Sequence, residues 1–234
     1  MNIAGIQKMT LLDYPGKVAC TVFLPGCNFR CPYCHNSELF TGELVPVMTG
    51  EELLAWLKKR TGLLDAVCVS GGEPTLQPEL EALLRAIKAM GYLTKLDTNG
   101  SRPRVLRRLV EAGLVDYMAM DIKNAPHRYS DTAGAAVDMA ELEESVTFLL
   151  EGGVDYEFRT TVAEQLHSAE DFSAIGQWLQ RLSPQNKAKR FFIQPFVDRD
   201  TVLFAGFSAP QEETLTQYLE ALTPYVVSAE VRGR

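Results

Sequence analysis

The chain has 234 residues, 46% of them hydrophobic and 23% charged, with a formal net charge of −7 and a pI near 5.1. That length and apolar content suffice for one sizeable core, so a single domain spanning 1–234 is expected. The acidic balance leaves no basic stripe for a phosphate backbone and no apolar run approaches membrane-spanning length, so neither nucleic acid nor a membrane is expected as a partner.

Met1 to Cys20 carries Asp13 and no sustained apolar segment of the secretory kind, which predicts a cytoplasmic protein. Along the chain, short β-branched runs alternate with amphipathic stretches, the pattern of repeated βα units around a parallel sheet. Strands are predicted at Val18 to Leu24, Ala66 to Ser70, Tyr92 to Asp97, Tyr117 to Asp121, Tyr156 to Val162 and Arg190 to Gln194, with a last one within Tyr225 to Val231. The first helix opens on a capping box, Thr49-Gly-Glu-Glu52; others are predicted over Pro78 to Met90, Pro103 to Ala112, Val137 to Glu151, Ala169 to Leu182 and Pro210 to Leu222. Six βα units are too few for a closed eight-stranded barrel, so the expected fold is α/β, an open partial barrel. Asn124 to Ala136 and Phe196 to Ala209 are longer than connection requires, which makes them candidates for substrate or partner contact.

Three of the five cysteines fall at Cys27, Cys31 and Cys34, a C-x3-C-x2-C spacing that chance explains poorly. A closed zinc site usually joins two half-sites, and Cys20 and Cys68 stand apart. Three thiolates suit a 4Fe–4S cluster with one iron left open, and an open iron implies chemistry at the cluster. Cys20 and Cys68 lie in apolar strand-like runs and read as small buried hydrophobes.

The loop, with Tyr33 before its last cysteine, resembles the signature of the radical S-adenosylmethionine superfamily. Cys34-His35-Asn36, Asp13-Tyr14-Pro15-Gly16 and Gly26 resemble the activating enzymes of glycyl radical enzymes, above all the branch serving anaerobic ribonucleoside-triphosphate reductase. The resemblance covers about Ile6 to Phe196 and implies a (β/α)6 partial barrel. It further implies reductive cleavage of S-adenosylmethionine to a 5′-deoxyadenosyl radical, a glycyl radical enzyme as protein substrate, and a flavodoxin- or ferredoxin-type electron donor. The interval from His35 to Ser70 is about one βα unit and has no cysteine-rich insert, which leaves the reductase and pyruvate formate-lyase branches. A small-molecule enzyme such as 7-carboxy-7-deazaguanine synthase and a plain iron–sulfur electron carrier remain as alternatives.

The other candidates lie at the ends of predicted strands, where barrel active sites assemble. Ser70-Gly-Gly-Glu-Pro74 reads alone as a strand-to-helix turn; the resemblance sets Gly71, Gly72 and Glu73 against the amino group of S-adenosylmethionine. Asp97-Thr-Asn-Gly100 reads alone as a turn; the resemblance gives Asp97 and Thr98 a monovalent cation near the cofactor carboxylate, with the Ala119 carbonyl as a further ligand. Asp121 and Lys123, two apart, share a strand face where they would pair or grip a peptide. Arg159 would bind the cofactor carboxylate as a fork, or else lie on an outer surface. Tyr33 is taken with the cofactor contacts. Val197 stands where the formate-lyase branch tends to show a His after its Pro-aromatic pair, here Pro195-Phe196. His127 and His167 read as surface residues.

Overall fold

The computed structural model describes residues 1–42 and 44–233. In chain order its elements are β1 (Asn2–Ile3), β2 (Gly5–Thr10), β3 (Ala19–Leu24), α1 (Glu38–Thr41), β4 (Met48–Thr49), α2 (Gly50–Lys58), β5 (Ala66–Gly71), α3 (Leu80–Ala89), β6 (Leu93–Thr98) and α4 (Pro103–Glu111). There follow β7 (Tyr117–Asp121), α5 (Tyr129–Ala133), α6 (Met139–Leu150), β8 (Asp155–Val162), α7 (Ala169–Leu182), β9 (Phe191–Pro195), α8 (Glu212–Leu222) and β10 (Ala229–Val231). The fold is α/β with a mostly parallel sheet.

The chain forms two compact units. The first comprises Met1–Asn28, Glu38–Thr98 and Arg104–Met118, with strands in the order β6-β5-β3-β2. β3, β5 and β6 pair in parallel and β2 closes the edge antiparallel to β3. Side chains alternate across a strand, so register stacks the residues of one face in layers. Ala19, Ala66 and Leu93 stand abreast and, with Tyr14, Cys68 and Tyr117, make a packed apolar layer. The next row is Thr21, Cys68 and Lys95, and beyond it Ser70 lies beside Phe23. The face therefore turns polar toward the C-terminal ends of its strands.

The second unit comprises Phe29–Ser37, Asn99–Pro103 and Ala119–Arg234, with strands in the order β10-β9-β8, all parallel. On β8, Tyr156 and Phe158 pack into an aromatic cluster with Phe191, Phe172 and Tyr218. The opposite face carries Glu157, which is fully buried. Arg232 binds both of its carboxylate oxygens, at 2.6 and 3.0 Å, while lying over the Phe192 ring.

Local sequence explains the helix starts. Thr49 and Glu52 form the expected capping box on α2, Ser168 and Asp171 form another on α7, and Asp138 caps α6, which therefore begins at Met139 rather than Val137. The short elements β1, α1 and β4 were not predicted, and two larger departures bear on the site. β2 was not foreseen, because an exposed edge strand shows no buried alternation. The segment Asn124 to Ala136 is not an open loop but holds α5, closed by Gly134 in the left-handed conformation.

Candidate active site

The cysteine loop leaves the C-terminal end of β3 and is held by backbone bonds at several points. On the side of the first unit, Gly26 N donates to Leu39 O at 2.8 Å and Glu73 N donates to Gly26 O at 2.8 Å. A Cβ at Gly72 would overlap the Gly26 carbonyl oxygen, and one at Gly71, where φ is +129°, would overlap the backbone of Leu24. Both glycines thus permit the backbone of the β5 turn to lie against the start of the cysteine loop, with Cys27 beside Gly72.

Glu73 is fully buried. Its Oε1 accepts from Thr75 N at 3.0 Å, Thr75 Oγ1 at 2.5 Å and Thr98 Oγ1 at 2.9 Å, so the carboxylate caps the 3-10 turn Pro74–Leu76 and ties it to the end of β6. Asp97 points from the opposite face of β6, where Lys95 Nζ donates to Oδ1 at 2.5 Å and Ser70 Oγ donates to Oδ2 at 3.0 Å. Lys95 is buried, and its partnership with Asp97 was not read from the sequence. The signal was present: a Lys inside an otherwise apolar parallel strand, two residues before an Asp, is rarely solvated. Asp13 likewise turns inward and accepts from Thr21 Oγ1 at 2.5 Å.

The second unit holds the rest of the loop. Cys31 is buried and Cys34 half-buried, and Cys34 N donates to Cys31 O at 3.0 Å. Arg30 N donates to Ala133 O at 2.9 Å, and Gly134 packs so closely on the Arg30 carbonyl that a Cβ there would overlap it. From the other side Leu203 N donates to Cys34 O at 3.2 Å and Phe204 N to Pro32 O at 3.1 Å, while Thr201 Oγ1 donates to His35 O. Both long connecting segments therefore grip the cysteine loop.

Asp121, at the end of β7, is the hub of a charge cluster. It accepts from Arg159 Nε at 2.6 Å and from Lys123 Nζ at 2.9 Å. Burial alone would raise its pKa, but the two cations hold its carboxyl well below the usual range. Arg159 is inside, with a side chain 16% exposed, rather than on an outer surface. One anion between two cations leaves the group with net positive charge beside Cys34 and Tyr33, whose ionisation it influences.

His167 corrects the expectation of a surface residue: it is 5% exposed, its Nε2 lies 2.9 Å from Lys123 O, and burial lowers its pKa. His127, with a side chain 66% exposed, is at the surface. Cys20 and Cys68 are fully buried in β3 and β5; burial pushes the Cys20 thiol up to about 12 and raises that of Cys68 further, so both behave as apolar packing residues.

The residues fit an iron–sulfur cluster and a bound ligand. None of the three loop cysteines is in a disulfide. Burial raises the Cys34 pKa, and a bound metal would favour its thiolate. Among the described residues no three His, Cys, Asp or Glu side chains gather around a single ion, as is reasonable for ligands that each meet a different iron of a cluster. The Tyr33 hydroxyl is the one buried side-chain polar atom without a hydrogen-bond partner among the described residues, a group that a ligand would satisfy.

Residues 21–165, more than half of the sequence, match the family described as the Radical SAM superfamily. The chain belongs to this superfamily. Its members use a 4Fe–4S cluster and S-adenosylmethionine, and this radical SAM protein is accordingly an enzyme. It is 30% identical over 237 residues to a Methanocaldococcus jannaschii protein described as a glycyl-radical enzyme activating enzyme, covering 98% of this chain and 95% of that one. It is 40% identical over 104 residues to the pyruvate formate-lyase-activating enzyme of Clostridium pasteurianum, covering 42% and 43%, and 28% identical over 189 residues to the 7-carboxy-7-deazaguanine synthase of Thermococcus kodakarensis, covering 72% and 73%. The crystal structure of Streptococcus suis SuiB bound to S-adenosylmethionine superimposes with a TM-score of 0.68 at 14% identity over 92% of this chain and 51% of that one, a likeness of fold. The expected radical SAM type of partial barrel is thus the fold found. Among the described residues no helix is long and apolar enough to cross a membrane.

Proposed function

We propose that this radical SAM enzyme is an activase that installs a glycyl radical on a partner enzyme, with anaerobic ribonucleoside-triphosphate reductase as that partner. The observation that carries the reading is the match to an activating enzyme along nearly the whole of both chains, together with the three-cysteine loop. Support also comes from the short interval between His35 and β5, which holds only α1, β4 and α2 among the described residues.

In this reading Cys27, Cys31 and Cys34 hold the cluster. Bound there, the cluster would supply the one electron needed for reductive cleavage of S-adenosylmethionine, the chemistry that would lead to hydrogen removal from the partner's glycine. The chain's own residues bind and orient. Gly71 and Gly72 let the β5 turn close on the start of the cysteine loop and so set the place of Glu73, which accepts the cofactor's ammonium; Lys123 and Arg159 bind its carboxylate while Asp121 holds both in place. Tyr33 takes the cofactor at its buried hydroxyl.

The segment Phe196 to Ala209 receives the partner: Val197 and Phe204 are exposed on it, and its backbone is bonded to the cysteine loop. The electron donor is a flavodoxin or ferredoxin, and the compartment is the cytoplasm.

The test is to incubate the reduced protein and S-adenosylmethionine with anaerobic ribonucleotide reductase, and separately with pyruvate formate-lyase, and to look for the doublet of a glycyl radical. A doublet on the reductase is expected, and Phe204→Ala should lower its yield while sparing uncoupled cofactor cleavage. A doublet on the formate-lyase alone would move the chain to that branch. Absence of both, with fast turnover of a purine-like small molecule, would overturn the activase reading in favour of the deazaguanine synthase type.

A further inference from the structure

An alkali ion at Asp97 and Thr98 does not fit the residues that surround them. Successive strand residues face opposite ways, and the Thr98 hydroxyl is given to Glu73 while Asp97 looks into the layered face of β3, β5 and β6. On that face a lysine is already present. Lys95, one layer below and level with Cys68 in register, sends its ammonium up to Asp97 Oδ1 at 2.5 Å. Its side chain is 3% exposed and that of Asp97 13%, so water screens the pair little. Ser70 Oγ fixes the other carboxylate oxygen at 3.0 Å. A second cation at this carboxylate would meet the ammonium at close range and be repelled by it.

We propose that Lys95 is a built-in replacement for a bound monovalent cation: its ammonium neutralises and orients Asp97, so that this chain binds its cofactor without an alkali metal ion. The inference rests on the reading of Asp97 as a residue of the cofactor side, and it makes Lys95 a positioning residue that acts through Asp97. A Lys tethered to its own strand holds its charge at fixed geometry, whereas a free ion would have to be recruited at each folding event.

The experiment uses the reconstituted full chain and reads binding of S-adenosylmethionine through its perturbation of the reduced cluster's electron paramagnetic resonance signal. Titrations are run in sodium, potassium and tetramethylammonium salts at equal ionic strength. Wild-type affinities are expected to agree within about twofold across the three, since the protein carries its own counter-charge. Lys95→Met keeps the length of the side chain and removes the charge; its affinity in tetramethylammonium should fall by about tenfold and recover in potassium or sodium. Lys95→Met/Asp97→Asn removes both charges and should again be indifferent to the salt. A wild type that requires sodium or potassium would overturn the proposal, as would a folded Lys95→Met that ignores the salt. Should Lys95→Met fail to fold, the wild-type titration alone decides in the same two directions. No perturbation by the cofactor in any salt would instead overturn the functional reading, and the inference with it.

Discussion

Thr98 and Glu73, 25 residues apart, are joined by a hydrogen bond of 2.9 Å in which Thr98 Oγ1 donates to Glu73 Oε1. Because the same oxygen also takes both donors of Thr75, the end of β6 and the turn after β5 are locked through one buried carboxylate. Whatever Glu73 binds, it meets a carboxylate whose rotamer is already chosen, so little side-chain entropy remains to be lost on binding.

Glu73→Ala should weaken the effect of S-adenosylmethionine on the cluster's paramagnetic signal by about ten- to a hundredfold, the equivalent of roughly 1.5–3 kcal/mol for a charged hydrogen bond. Thr98→Val, which removes only the orienting bond, should cost about tenfold or less. Thr98→Ser restores the hydroxyl and should restore the affinity. Equal losses in Thr98→Val and Thr98→Ser would show that packing, not orientation of Glu73, is the role of this residue.

Anaerobic reconstitution should load about four irons per chain, and Cys27→Ala, Cys31→Ala and Cys34→Ala should each lose the cluster. Cys20→Ala and Cys68→Ala should retain full iron content, with stability lower by about 1 kcal/mol for the small cavity each leaves. Iron and sulfide assays beside thermal melts separate the two classes. Loss of the cluster in Cys20→Ala or Cys68→Ala would revive the electron-carrier alternative.

Gly72→Ala places a methyl where the Gly26 carbonyl stands, so the cysteine loop must move away from the β5 turn. A cost of about 1–3 kcal/mol is expected from overpacking of this kind, and the protein should load fewer irons even where it remains folded. A Gly72→Ala protein with unchanged melting temperature and iron content would contradict the close approach.

Acid should act through Asp121. Its folded pKa is depressed, so its contribution to stability is complete above the ordinary carboxylate range and is lost as pH falls from about 5 toward the folded value. Asp121→Asn removes the negative charge that Lys123 and Arg159 both bind and should cost about 2–3 kcal/mol at pH 7. The gap between wild type and variant should narrow as pH drops from 5 to 3. Melting curves across that range test it; a gap that stayed constant would mean the carboxylate contributes no proton-linked stability.

Core strands were legible because their apolar runs are short and flanked by polar or turn residues: Ala66 to Ser70 and Tyr117 to Asp121 are such runs, and the strands found there are Ala66–Gly71 and Tyr117–Asp121. β2 escaped because Gln7, Lys8 and Met9 are exposed and its pairing with β3 is set by position alone. The pairing of Asp121 with Lys123 could be read from their two-residue spacing, but not the third member, since Arg159 reaches Asp121 from another strand. His167 was misread for the same reason: its burial comes in part from the Lys123 carbonyl and the aromatic ring of Tyr33, both remote in sequence.

The bonds from Ala133 to Arg30 and from Leu203 and Phe204 to Cys34 and Pro32 bear on how the protein is made. During synthesis the three thiols emerge early, while the residues that clamp their loop are still to be translated. Until then the loop is unordered and its thiols are open to oxidants. Cluster delivery to a shorter nascent chain would meet an unshaped site, so insertion belongs after Leu203 and Phe204 have been made and have docked.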